Sequence, residues 1–116
     1  MSGPRTVSVS VVVAERIEAG SGTAHVMVED TSRADAAATV VAEVVEPITR
    51  SLAPGDGFTV KLTVLDVDDR AVYNVRAHID CSGTGEVSTG DRITTRSYPA
   101  LTHGAADRVE VEVVEI

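Results

Sequence analysis

Apolar residues recur at every second position through most of this chain, a period that predicts strands rather than helices. Thr6 to Val13 places Val7, Val9, Val11 and Val13 on one face and Ser8 and Ser10 on the other. Thr23 to Glu29 sets Ala24, Val26 and Val28 against His25, Met27 and Glu29. Phe58 to Leu65 alternates Phe58, Val60, Leu62 and Val64 with Thr59, Lys61 and Thr63. Tyr73 to Cys81 alternates Tyr73, Val75, Ala77 and Ile79 with Asn74, Arg76, His78 and Asp80, which reads His78 as a solvent-facing residue. The last run, Asp107 to Glu115, sets Val109, Val111 and Val113 against Arg108, Glu110 and Glu112. A slip of one residue in any of these would turn its apolar row into water, so each register is tightly set.

Turn formers separate the runs: Ala19-Gly20-Ser21-Gly22, Ala53-Pro54-Gly55-Asp56-Gly57, Asp66 to Asp69, Ser82-Gly83-Thr84-Gly85 and Thr102-His103-Gly104. Glycine permits positive φ, and aspartate closes turns with its own side chain. A weaker run, Ile93 to Tyr98, predicts a sixth strand. The alanine-rich segment Arg33 to Val45 is open to two readings. Ser32 or Asp35 offers a helix N-cap, whereas the valine pairs at 40–41 and 44–45 favour a strand from Ala38 to Val45. Taken as strand, it brings the total to seven. Short strands with one apolar face each predict an all-β domain, a seven-stranded antiparallel β-sandwich of immunoglobulin- or transthyretin-like two-sheet architecture.

Composition, charge and the start of the chain narrow the picture. The 116 residues suit a single domain over 1–116, with residues 1–5 expected as a flexible start. Aromatic residues make up only 3% of the chain, so Val, Ala, Leu and Ile must fill the core. The net charge of −8 opposes phosphate backbones and anionic lipid, so neither nucleic acid nor direct membrane insertion is expected; a basic partner segment would suit it. Met1 to Arg5 runs straight into alternating Ser and Val, without the apolar stretch of a signal peptide. The expected location is cytoplasmic as written, or periplasmic or outer-membrane-anchored if a lipoprotein signal has been removed.

Candidate chemistry is sparse. Asp66, Asp68 and Asp69 offer the oxygens that calcium wants, but without the central glycine and distal glutamate of a helix-loop-helix site. A solvated turn beside Arg70 explains them equally. Cys81, with His25, His78 and His103 elsewhere, raises a thiolate–imidazole pair; Asp80 and Glu86 make the setting electronegative, which favours a small apolar filler at a strand end. Gly83-Thr84-Gly85 resembles a phosphate loop faintly, yet strands flank it where a helix should begin. These residues imply no catalytic set and no cofactor, and the chain is expected not to be an enzyme.

Two stretches carry a family resemblance. Glu29-Asp30-Thr31-Ser32-Arg33-Ala34-Asp35-Ala36 resembles the ED(V/T)SRADA turn of the YbaY-like lipoproteins, which group with the YscW-type pilotins of type III secretion. Tyr73-Asn74-Val75-Arg76-Ala77-His78-Ile79 resembles that family's Y-x-V-R-A-x-I strand, and Ser97-Tyr98-Pro99-Ala100-Leu101-Thr102 followed by Gly104 resembles its YPVLT-x-G end. The match runs from about Val7 to Ile116 in the same order, although the chain has no lipidation cysteine at its start.

The resemblance implies a β-sandwich in which the Ser32–Ala36 turn leads into a strand, favouring that reading for Arg33 to Val45. It also implies a non-catalytic role in envelope assembly, pilotin- or chaperone-like, with a protein or peptide partner held at a sheet edge or groove. Asp30, Ser32, Arg33, Asp35, Tyr73, Arg76, Tyr98 and Pro99 are expected to be structural. The alternative is a small-ligand or calcium-binding module.

Overall fold

A computed structural model describes residues 3–33 and 35–116. Met1, Ser2 and Ala34, and with them parts of the expected flexible start and of the Ser32–Ala36 turn, lie outside the described residues. The described chain is all-β: β1 (Arg5–Val13), β2 (Thr23–Asp30), β3 (Thr39–Pro47), β4 (Gly57–Val64), β5 (Tyr73–Asp80), β6 (Arg92–Thr94), β7 (Pro99–Ala100) and β8 (Arg108–Glu115). The described residues of segment 33–45 contain no helix, and β3 begins one residue later than expected and runs on to Pro47.

The strand count and pairing differ from the expected seven antiparallel strands. Among the described residues there are eight, hydrogen-bonded in the order β3-β2-β5-β6-β8-β1-β4, with β7 attached to β5. The run Ile93 to Tyr98 does not form one strand. It gives β6 at its start, and β7 follows it, pairing Pro99 with Asn74 and Ala100 with Tyr73. β1 and β8 pair in parallel, Val9 beside Val109 and Val11 beside Val111. Alternation reveals which face a side chain occupies, not which strand lies beside it, so this neighbour pair was not readable.

Ladder continuity makes this one sheet rather than two. It curls until its edge strands β3 and β4 come near each other, a nearly closed, barrel-like wall with one open side. The alternating rows fill its interior. Val7, Val9, Val11, Val13, Val26, Val28, Ile79, Val111 and Val113 are wholly buried, and Leu62, Val64, Val75 and Ala77 nearly so. Small β-branched side chains suit this interior, because a strongly curved sheet leaves a narrow space and each valine loses little rotamer freedom there.

Two close approaches fix the frame. Tyr73 is buried and its hydroxyl accepts the Asp68 amide at 2.9 Å, while buried Thr102 donates to the Ala71 carbonyl at 2.7 Å. At the start of β4, Gly57 lies so near β1 that a Cβ would stand 2.0 Å from the Val11 carbonyl oxygen. Gly57→Ala must therefore push β1 and β4 apart. Urea unfolding should show a loss of about 2 kcal/mol, in the range for overpacking at a tight site.

Candidate functional site

The open side is built by the connection between the two edge strands. Following the ladders round the sheet, β3 and β4 run in opposite directions and are joined by residues 48–56. That connection is laced to the segment after β1: Ile17 and Leu52 exchange both backbone hydrogen bonds at 2.9 Å, and the Ile48 amide donates to Gly22 at 3.0 Å. Ile48 and Leu52 are thereby buried as a floor. Arg50 donates to the Gly57 carbonyl at 2.8 Å, holding the connection against the start of β4.

Above this floor lies a groove of about 210 Å³, lined by Glu46 and Pro47 of β3, by Ile48, Arg50 and Leu52, and by Phe58 and Val60 of β4. No backbone ladder joins β3 to β4 among the described residues. The groove has a buried apolar floor and mixed walls, with Thr49, Thr59, one carboxylate and one guanidinium in its lining. Pockets that take a ligand or a segment of another chain commonly combine an apolar floor with a few polar groups.

On the outer face of the wall a second cluster was missed by the sequence reading. His78 is buried, which corrects its reading as solvent-facing. Its place in the alternation is as expected, but the loop 81–91 folds over that face and covers it. The cause is Asp91, whose side chain is fully buried. Oδ1 accepts the amides of Cys81 at 2.8 Å and Ser82 at 3.0 Å, and Oδ2 accepts the Ser88 amide at 3.1 Å and Nε2 of His78 at 2.7 Å. Burial pushes the Asp91 carboxyl up, but the His78 hydrogen bond and the three amides outweigh it and hold the carboxyl at about 2.

Asp80 carries the rest of this loop. It accepts the amides of Gly83 at 2.9 Å and Gly85 at 2.8 Å, both glycines having positive φ, and the Gly85 amide is the main cause holding its carboxyl below the usual range. The resemblance to a phosphate loop thus has a physical basis: amides do converge on an anion, and the anion is the chain's own Asp80.

His78, Asp80 and Asp91 place ligand atoms within 4.8 Å of one another, the one such group among the described residues. Their nitrogen and oxygens are already engaged by the loop, so the arrangement does the work of a clasp. Asp66, Asp68 and Asp69 are exposed and do not form such a group; Asp68 accepts the Arg70 amide at 2.9 Å. Cys81 is half-buried against the core, and burial raises its thiol pKa, the opposite of what a nucleophile requires.

The remaining expected residues sit at joints. Asp30 accepts the Ser32 amide at 2.9 Å and the Ser32 hydroxyl, contacts that hold its carboxyl below the usual range, while the Ser32 oxygen accepts the Val72 amide at 2.9 Å. Arg33 and Asp35 lie exposed, 4.0 Å apart. Arg76 pairs with Glu29 at 3.2 Å, and the Tyr98 hydroxyl accepts the Glu112 amide at 3.1 Å. Pro99 occupies β7 opposite Asn74.

Residues 3–113 match the model of a family described as type III secretion system lipoprotein chaperone (YscW). The structure is similar to that of an alternative pilotin from the type II secretion system of Vibrio cholerae, with a TM-score of 0.78, 24% sequence identity and 97% of each chain covered. No curated protein matches the chain by sequence.

Proposed function

The chain belongs to the YscW family of secretion-system lipoprotein chaperones, and from that premise we propose that it is a non-enzymatic, pilotin-like domain that holds a segment of another envelope protein during assembly. The partner on this reading is a subunit of a secretion assembly, and the place of action is the cell envelope. The observation that carries it is the open side: a wall otherwise continuously paired leaves a groove with an apolar floor and polar rim between β3 and β4. An edge that lacks a neighbour offers both unpaired backbone groups and unburied apolar surface to an incoming chain.

On this reading the motif residues serve the frame. Asp30 and Ser32 join β2 to the start of β5, Tyr73 holds the 66–69 turn, and Tyr98 ties the β6–β7 connection to β8. None of them lines the groove.

Site-specific photo-crosslinking in the native host tests the proposal. A photoreactive residue at exposed Thr49, on the groove, should trap a discrete envelope protein; one at Glu110, on the outer face of β8, should not. Equal trapping at both positions, or none at Thr49, contradicts it.

A further inference from the structure

The two edges of the open side are not equivalent. On β4 the inward residues Val60, Leu62 and Val64 are already buried, and the outward row Thr59, Lys61 and Thr63 is polar. Such an edge has little to gain from a neighbour, and its lysine discourages one. β3 is different. It is nine residues long, with no lysine or arginine, and its single proline stands at the very end. Its inward Ala42 and Val44, paired with Val28 and Val26, are only half-buried. Its outward row, paired with Glu29, Met27 and His25, is Val40, Glu43 and Val45, with Val40 46% and Val45 53% exposed. A strand laid along β3 would cover apolar surface on both faces at once.

Charge selects what that strand carries. Glu43 faces His25 at 3.5 Å, and no arginine or lysine lies within ion-pair distance of Glu43 or Glu46 among the described residues. Glu43 also lines a recess of about 320 Å³ together with Met27 and Glu86, whereas Arg76 in that recess is tied to Glu29. A long basic side chain opposite Glu43 would meet its carboxylate at the rim of that recess, short of the Met27 thioether, which the Arg76 guanidinium already covers at 3.6 Å. A second copy of this chain fits poorly. Antiparallel self-pairing centred on β3 sets Glu43 against Glu43, and each copy brings a net charge of −8.

We propose that β3 takes up an extended partner segment by strand addition, and that this segment alternates apolar residues on its core side with basic residues on its outer side. The proposal rests on the partner-holding function above and names the conformation and charge of what is held. Backbone pairing supplies the affinity, the half-buried Ala42 and Val44 set the apolar side, and Glu43 sets the preference for a cation.

Two synthetic ten-residue peptides test it, one alternating Val with Lys and the other Val with Glu. The Val/Lys peptide should bind at least tenfold more tightly, and amide exchange within β3 should slow at least tenfold at alternate residues. Glu43→Lys, at an exposed position, should reverse the preference between the peptides. Binding that leaves β3 exchange unchanged overturns the proposal, as does a preference that Glu43→Lys does not alter, or no binding of either peptide at millimolar concentration. Protection confined to residues 48–52 and 57–60 also overturns strand addition, while leaving the groove as the holding site. Failure of the partner-holding function itself is read separately, from the Thr49 crosslink.

Discussion

Replacing Asp91 with alanine should lower the stability of the domain by about 3 kcal/mol, a large share of what a domain of this size possesses. The expectation follows from the number of groups that one carboxylate serves. Three amides and one imidazole converge on it inside a covered site, and alanine leaves all of them facing a cavity. Burying donors without acceptors costs more than the hydrogen bonds themselves contribute. Thermal unfolding should show a midpoint lower by roughly 10 °C. Asp91→Asn keeps one acceptor oxygen for the Cys81 and Ser82 amides and should lose about half as much. A midpoint for Asp91→Ala within a degree or so of the parent would show that the loop 81–91 is held by something else.

The same carboxylate predicts an acid response. Its folded-state pKa, at about 2, lies below that of the same group in an unfolded chain. The stability it contributes is thus fully present above the ordinary carboxylate range and is lost as pH falls through about 2. Between pH 4 and pH 2 the parent protein should weaken more steeply than Asp91→Asn, measured by urea unfolding at each pH.

Phe58→Glu should reduce partner capture by about 30-fold or more, equivalent to about 2 kcal/mol of binding, the scale of an aromatic anchor in a recognition site. Phe58 is half-buried on β4 and contributes the largest apolar side chain on that wall of the groove. A carboxylate there would meet the partner's apolar surface beside Glu46, and the nearby Arg50 guanidinium is already engaged by the Gly57 carbonyl. Because Phe58 already reaches solvent, the variant should still fold, shown by an unchanged circular dichroism spectrum. Undiminished capture would remove the groove from the binding account.

Much of the wall was legible because burial on one face forces alternation. Val7, Val9, Val11 and Val13 are all fully buried, as their spacing requires. The segment leading to β3 was ambiguous from its own residues, since its alanines favour helix and its valine pairs favour strand; the family turn resolved it. The run Ile93 to Tyr98 misled because its threonines and serine carry no apolar row, so nothing in the pattern showed that pairing with β5 stops after Ile93 and with β8 after Thr94. Closure of the sheet, with β1 parallel to β8, is a relation between the two ends of the chain and leaves no local trace.

The Asp91 clasp was invisible for a related reason. Asp91 stands between Gly90 and Arg92 and looks like any turn aspartate, while His78 occupies the outward row of β5. Alternation names the face of a residue and is silent on whether a loop lies over that face. The available signal was the glycine loop itself: positive-φ glycines aim amides at an anion, and two aspartates bracket the loop.

On the proposal made here, the open side between β3 and β4 is where a partner segment is held. Hydrogen–deuterium exchange on the complex with the partner trapped at Thr49 tests it most directly. New protection is expected in residues 39–48 and 57–60, with the outer faces of β1 and β8 unchanged. Protection on those outer faces, with β3 and β4 exchanging as they do in the free protein, would contradict it.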